Sequence, residues 1–141
     1  MSTTDNKDEG FPWIIPQDMP KWKVLFFAHL RPKKGDLAIN YSKPKLNEED
    51  LATLLGEDKQ ETEASKAYKE IHKLNVKKWA KRNDIAYSAL VKACTRSPSA
   101  TTVILDNPNA TAGKLFKKLM ERFDQSGMTG VVQAKLAEFN L

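Results

Sequence analysis

One cysteine, two histidines and six scattered glycines leave this 141-residue chain short of the groups that most chemistry uses. Cys94 alone cannot form an internal disulfide, which points to a reducing, cytoplasmic location. His29, His72 and Cys94 lie too far apart to give the short ligand spacing of a zinc site. Both histidines read as ordinary surface or boundary residues. Cys94 falls among small residues of a helical segment, where a buried, inert thiol is expected. Gly35, Gly56, Gly113, Gly127 and Gly130 are dispersed, and none opens the strand–turn–helix unit of a phosphate loop. Catalytic residues, metal ligands and a cofactor are therefore not expected, nor a small-molecule substrate. No apolar run approaches the roughly 20 residues that cross a bilayer. Met1 to Glu9 are polar and acidic, unlike a signal peptide. Sustained two-residue alternation and Asn-Gly or Asp-Gly turns are missing, so strands are not expected either.

What is present is a soluble-type composition, 40% hydrophobic and 29% charged, with enough length to bury a core without a metal or disulfide. The formal charge of +5 is arranged in blocks. Residues 21–45 carry seven cations against Asp36, and residues 47–63 carry seven carboxylates against Lys59. Residues 66–96 then carry nine cations against Glu70 and Asp84. Such alternation suits contact between opposite charges, within one fold or between copies, and equally suits a solvated surface.

The chain divides into a flexible tail with a proline-rich aromatic strap over residues 1–17 and a helical domain over 18–141. In the strap, Phe11, Trp13, Ile14 and Ile15 are apolar but interrupted by Pro12 and Pro16, which favours extended backbone. It is either a cover for the chain's own core or a hook onto a neighbouring copy. Asp18 caps a first helix with Pro20 in its first turn and Trp22, Leu25, Phe26 and Leu30 on one face. Pro32 stops it, Lys33-Lys34-Gly35 turns, and Leu37 to Ile39 is extended or helical. Asn47 caps a short acidic helix with Leu51, Leu54 and Leu55 on its apolar edge, flanked by a Leu46–Leu51 staple and ended by Gly56. The long helix begins near Thr62, with Ala64, Ala67, Tyr68, Ile71 and Leu74 on its apolar face. Projected onward, that face meets Lys78 and Arg82, a conflict that predicts a bend near Asn83 and a restart capped by Asp84. Ser97-Pro98-Ser99 ends this piece, and Thr101 to Leu105 is a short helix or turn. Thr111 caps the next helix, with Ala112, Leu115, Phe116, Leu119 and Phe123 inward. Met128, Val132, Leu136 and Phe139 define a last one. The chain is predicted to be all-α, a compact bundle of about five to six helices.

Lys66, Lys69, Lys73, Lys77 and Lys81 recur at steps of three and four along the long helix, opposite its expected apolar face. A stripe of this kind can neutralise phosphates without reading sequence. It lacks the interleaved exposed aromatics of single-strand binders, and it can equally be a solvated face that meets the acidic 47–63 segment.

In order and spacing, these segments resemble the Gag polyprotein of copia-type LTR retrotransposons. Met19-x-x-Trp22 with Phe26 and Leu30 is similar to that family's first helix. Trp79-x-x-x-Asn83-Asp84-x-Ala86 with Leu90 is similar to its Trp-bearing helix. Thr111-Ala112-Gly113-Lys114-Leu115-Phe116-Lys117-Lys118-Leu119 with Phe123 is similar to its Thr-Ala helix, and Leu136 to Leu141 to a Leu-rich one. Phe116 stands where the family often has Trp. The sequence holds no zinc knuckle or protease region, so the resemblance implies the N-terminal capsid portion alone. It implies a retroviral-type capsid N-terminal fold and a structural protein that self-associates into a shell, or virus-like particle, around retroelement RNA. The chain's partner would be itself, with RNA bound weakly and non-specifically and no membrane. The residues expected in the core are Trp22, Phe26, Leu30, Leu74, Trp79, Leu90, Leu115, Phe116, Leu119, Phe123, Leu136 and Phe139. Assembly contacts are expected from the Phe11–Pro16 strap, the acidic helix and the basic stripe. The rival readings are a nucleic-acid-binding module that uses the basic stripe and a helical adaptor for a foreign protein.

Overall fold

The computed structural model describes residues 10–123. Among them lie six α-helices and no strand, as the missing strand signals and the helical spacing of apolar residues predict. They are α1 (Met19–Leu30), α2 (Gly35–Asn40), α3 (Glu48–Leu54), α4 (Glu63–Cys94), α5 (Pro98–Asp106) and α6 (residues 112–123). Met1 to Glu9 and the helix expected around Met128, Val132, Leu136 and Phe139 lie outside the described residues.

Each start has a local cause. The Asp18 carboxylate accepts from the Lys21 N–H ahead of α1, and the Asn47 side chain accepts from the Glu49 and Asp50 N–H groups ahead of α3. Thr62 and Ser65 form a reciprocal capping box that opens α4. The Thr62 hydroxyl also donates to the Leu54 carbonyl, which ties the end of α3 to the start of α4. Ser97 caps α5 with Pro98 in its first turn, so this Ser-Pro pair begins a helix rather than only ending one. Lys34, at φ 62°, turns the chain from the 3-10 turn Arg31–Lys33 into α2.

The core is an aromatic stack clasped by small residues. Trp22 and Phe26 on α1 lie 4.8 Å apart between ring centroids, and Phe116 on α6 stacks on Trp22 at 5.7 Å. Leu90, Ala93 and Cys94 from α4, Ala100 from α5 and Leu115 and Leu119 from α6 close around them, all fully buried. On α1 the inward stripe is Met19, Trp22, Phe26 and Leu30. Leu25 was expected on that face, but it falls outside this stripe of three- and four-residue steps and is 45% exposed.

Two glycines let helices approach closely. A Cβ on Gly113 would sit 3.2 Å from the Ala38 carbonyl oxygen and 3.3 Å from that of Ile39, so α6 begins directly against the end of α2. A Cβ on Gly35 would meet the Ile85 side chain at 3.1 Å, where α2 begins against α4.

The expected bend near Asn83 does not occur, and Asp84 caps nothing there. Helix α4 runs unbroken for 32 residues. Its inward stripe is Ser65, Tyr68, His72, Val76, Trp79, Asn83, Ala86, Leu90 and Ala93, an unbroken series of three- and four-residue steps. Of the face expected from Ala64, Ala67, Tyr68, Ile71 and Leu74, only Tyr68 lies on this stripe, and the other four lie to one side of it. Ile71 is 58% exposed and Leu74 57%, so Leu74 is not a core residue, and Trp79 is half-buried rather than fully interior. With the correct phase no conflict arises at Lys78 and Arg82, and nothing remains to break the helix. No helix among the described residues is long and apolar enough to cross a membrane.

Candidate functional site

Helix α4 presents three faces. One is the inward stripe. The second carries the basic stripe, along which Lys66, Lys73, Lys77 and Lys81 are exposed and Lys69 is partly covered. The third bears Ile71 and Leu74. The lysines at the start of the stripe are matched by carboxylates: Lys66 lies 4.0 Å from Glu63, Lys69 3.2 Å from Glu61 and Lys73 3.3 Å from Glu70. Exposed pairs of this kind contribute at most about 1 kcal/mol each. Glu61 and Glu63 belong to the acidic 47–63 block, so part of that block does meet the stripe within one chain. Among the described residues no carboxylate lies within ion-pair distance of Lys77 or Lys81, and the stripe's unmatched charge lies in its second half.

The strap lies along the chain's own body, with a tight turn at Pro12 closed by the Trp13 N–H on the Phe11 carbonyl at 2.9 Å. The Trp22 indole N–H donates to the Pro12 carbonyl at 2.9 Å, and the Ile14 N–H donates to the Ala93 carbonyl at 2.9 Å. Ile14 is buried, Phe11 and Ile15 pack partly buried against the core, and Trp13 remains half-exposed. The Arg96 guanidinium sits 3.8 Å from the Trp13 ring centroid, and the Lys92 ammonium 4.4 Å from that of Phe11. Phe11, Ile14 and Ile15 cover the chain's own core. The side of the strap open to solvent is mainly Trp13 and its cation.

Two contacts escaped the sequence. Asn83, half-buried on α4, accepts from the Ala112 N–H at 2.8 Å and so supplies a cap to α6 from 29 residues away, while Thr111 accepts from the Lys114 N–H at 3.2 Å. The Trp79 indole N–H donates to the Tyr41 carbonyl at 3.1 Å, which pins the loop after α2 to α4. A Tyr-Ser-Lys-Pro-Lys loop with an aromatic and two cations was the available signal for this second contact.

The exposed His29 meets the Phe11 ring edge-on at 5.0 Å. Among the described residues no group of three or more His, Cys, Asp or Glu comes together to hold a metal ion. Cys94 is fully buried, and loss of hydration raises its thiol pKa from 9.0 to about 12. Compared with known proteins, the chain matches no family model, no curated protein and no solved structure.

Proposed function

We propose that this protein is a structural, capsid-like component that self-associates, in the manner of the N-terminal capsid region of a copia-type Gag. The reading rests on the resemblance of its ordered motifs, and one observation supports it. The residues that carry the resemblance interlock: Asn83 of the Trp-bearing helix caps the Thr-Ala helix at Ala112, and Trp22 of the first helix stacks on Phe116. Motif residues that bind one another across three helices form one packing unit, which supports reading them together.

For the contact between copies, the first half of α4 supplies exposed Ile71 and Leu74 near Lys77 and Lys81, which have no carboxylate within ion-pair distance among the described residues, and α3 exposes Glu48, Glu49 and Asp50. An apolar centre with charges of both signs within reach suits a modest, repeated interface. A shell built this way around RNA belongs in the cytoplasm.

Light scattering over a concentration series, with electron microscopy of the concentrated protein, tests the proposal. Growth in mass with concentration is expected, and its loss in the Ile71→Asp, Leu74→Asp variant with helicity unchanged. A wild-type chain that stays monomeric at every concentration rules the reading out.

A further inference from the structure

Away from the basic stripe, the loop after α2 and the first turns of α6 enclose an open groove of about 650 Å³. Lys43, Lys45, Lys114 and Lys117 line it, together with Tyr41 and Trp79. On the other side of Tyr41 a second groove, of about 280 Å³, is lined by Lys78 and Arg82. Tyr41, Ser42 and Trp79 line both, so the two grooves are one track divided by an aromatic ridge. No carboxylate among the described residues lines either. Among the described residues none of the six cations has a carboxylate within ion-pair distance.

We infer that this track binds single-stranded nucleic acid, with a base stacked on Tyr41 and the flanking phosphates held by the lysines and Arg82. Tyr41 is 67% exposed, an unusual place for an aromatic ring that serves only packing. Its backbone is held by the Trp79 indole at 3.1 Å, so the ring is presented from a fixed position and little ordering is needed when a base arrives. Cations on both sides of an aromatic platform are the arrangement by which single strands are held without sequence preference. Helix α6 opens on the same rim, and the positive end of its dipole adds to the field. A run of acidic side chains would use the cations but leave the ring without a role, which is why a strand with planar bases fits better than an acidic protein surface. Binding here does not require self-association. A single copy can hold a strand, and the two properties are read by separate measurements.

The test is fluorescence anisotropy with a labelled oligouridine RNA and the full chain, at several salt concentrations. Four to six phosphate contacts predict that log affinity falls with log salt at a slope between about −3 and −4. Neutralising Lys43→Gln and Lys45→Gln, two exposed loop residues, makes that slope shallower by about 1.4. Tyr41→Ala costs about fivefold or more in affinity, and Tyr41→Phe, which keeps the stacking face, restores it. Lys66→Gln on the ion-paired part of the stripe leaves binding within twofold. The inference is overturned if Tyr41→Ala binds as wild type. It is equally overturned if Lys66→Gln weakens binding as much as the loop pair does. A loop pair that lowers oligomer mass while RNA affinity stays unchanged assigns the groove to the acidic helix of a second copy and also rejects it.

Discussion

The Asn83 side chain accepts the backbone N–H of Ala112 at 2.8 Å and thereby fastens the middle of α4 to the start of α6. That N–H belongs to the first turn of α6, where no earlier carbonyl of the same helix can reach it. Removing the acceptor strands a partly buried donor. Asn83→Ala is expected to cost about 1–2 kcal/mol, while Asn83→Asp, which keeps an oxygen in place, loses less. Urea denaturation followed by circular dichroism measures both. An Ala variant as stable as wild type would mean that water replaces the amide.

Trp22 joins the aromatic stack to the strap. Trp22→Phe keeps an apolar ring beside Phe26 and Phe116 but removes the donor to the Pro12 carbonyl. A loss of about 1–3 kcal/mol is expected from the orphaned buried carbonyl together with the missing ring volume. The strap should detach before the rest unfolds. Limited proteolysis reads this as faster cleavage within residues 11–17, and equal cleavage in variant and wild type would refute the coupling.

Gly113→Ala sets two effects against each other. Alanine favours the helix by about 1 kcal/mol. Its Cβ, however, would stand 3.2 Å and 3.3 Å from two backbone carbonyl oxygens of α2, which cannot swing aside as a side chain would. The crowding wins, and a lower melting temperature is the expected result. The same change would also widen the groove between α2 and α6.

Cys94 gives stability a pH dependence of known sign. Burial raises the folded thiol from 9.0 to about 12, so its contribution is complete below pH 9 and is lost as the unfolded chain releases a proton that the folded chain retains. Relative to Cys94→Ser, the wild type should lose roughly 1 kcal/mol of additional stability between about pH 9 and pH 10. Parallel denaturation curves at both pH values make the comparison. The thiol should also react with an aromatic disulfide reagent only once the chain is unfolded.

Local signals proved readable. Asp18, Asn47, Thr62 and Thr111 were recognisable as helix starts because a cap acts within three residues of its own position. The inward face of α6 was readable for the same reason, since each of its five apolar positions is buried. The phase of α4 was misjudged because Ile71 and Leu74 are large and apolar yet face outward, and sequence spacing cannot tell an uncovered apolar face from a covered one. Asn83 could be matched to a family pattern, but its partner is 29 residues away and only the fold brings them together. The Tyr41 track was missed in the same way: three separate segments supply its cations, and only the fold brings them to one place.

An unbroken α4 has a mechanical consequence. At roughly 1.5 Å per residue its 32 residues form a rod about 48 Å long, anchored in the aromatic core around Leu90 and braced at its far end by α3, where Ser65 is buried and the Thr62 hydroxyl holds the Leu54 carbonyl. Anything gripping the far end is therefore held at a set distance and angle from the aromatic centre. A small tilt at the anchor becomes a displacement of several ångströms at the tip, so the few side chains packed around Ala86 and Leu90 would govern the curvature of whatever is built outward from it.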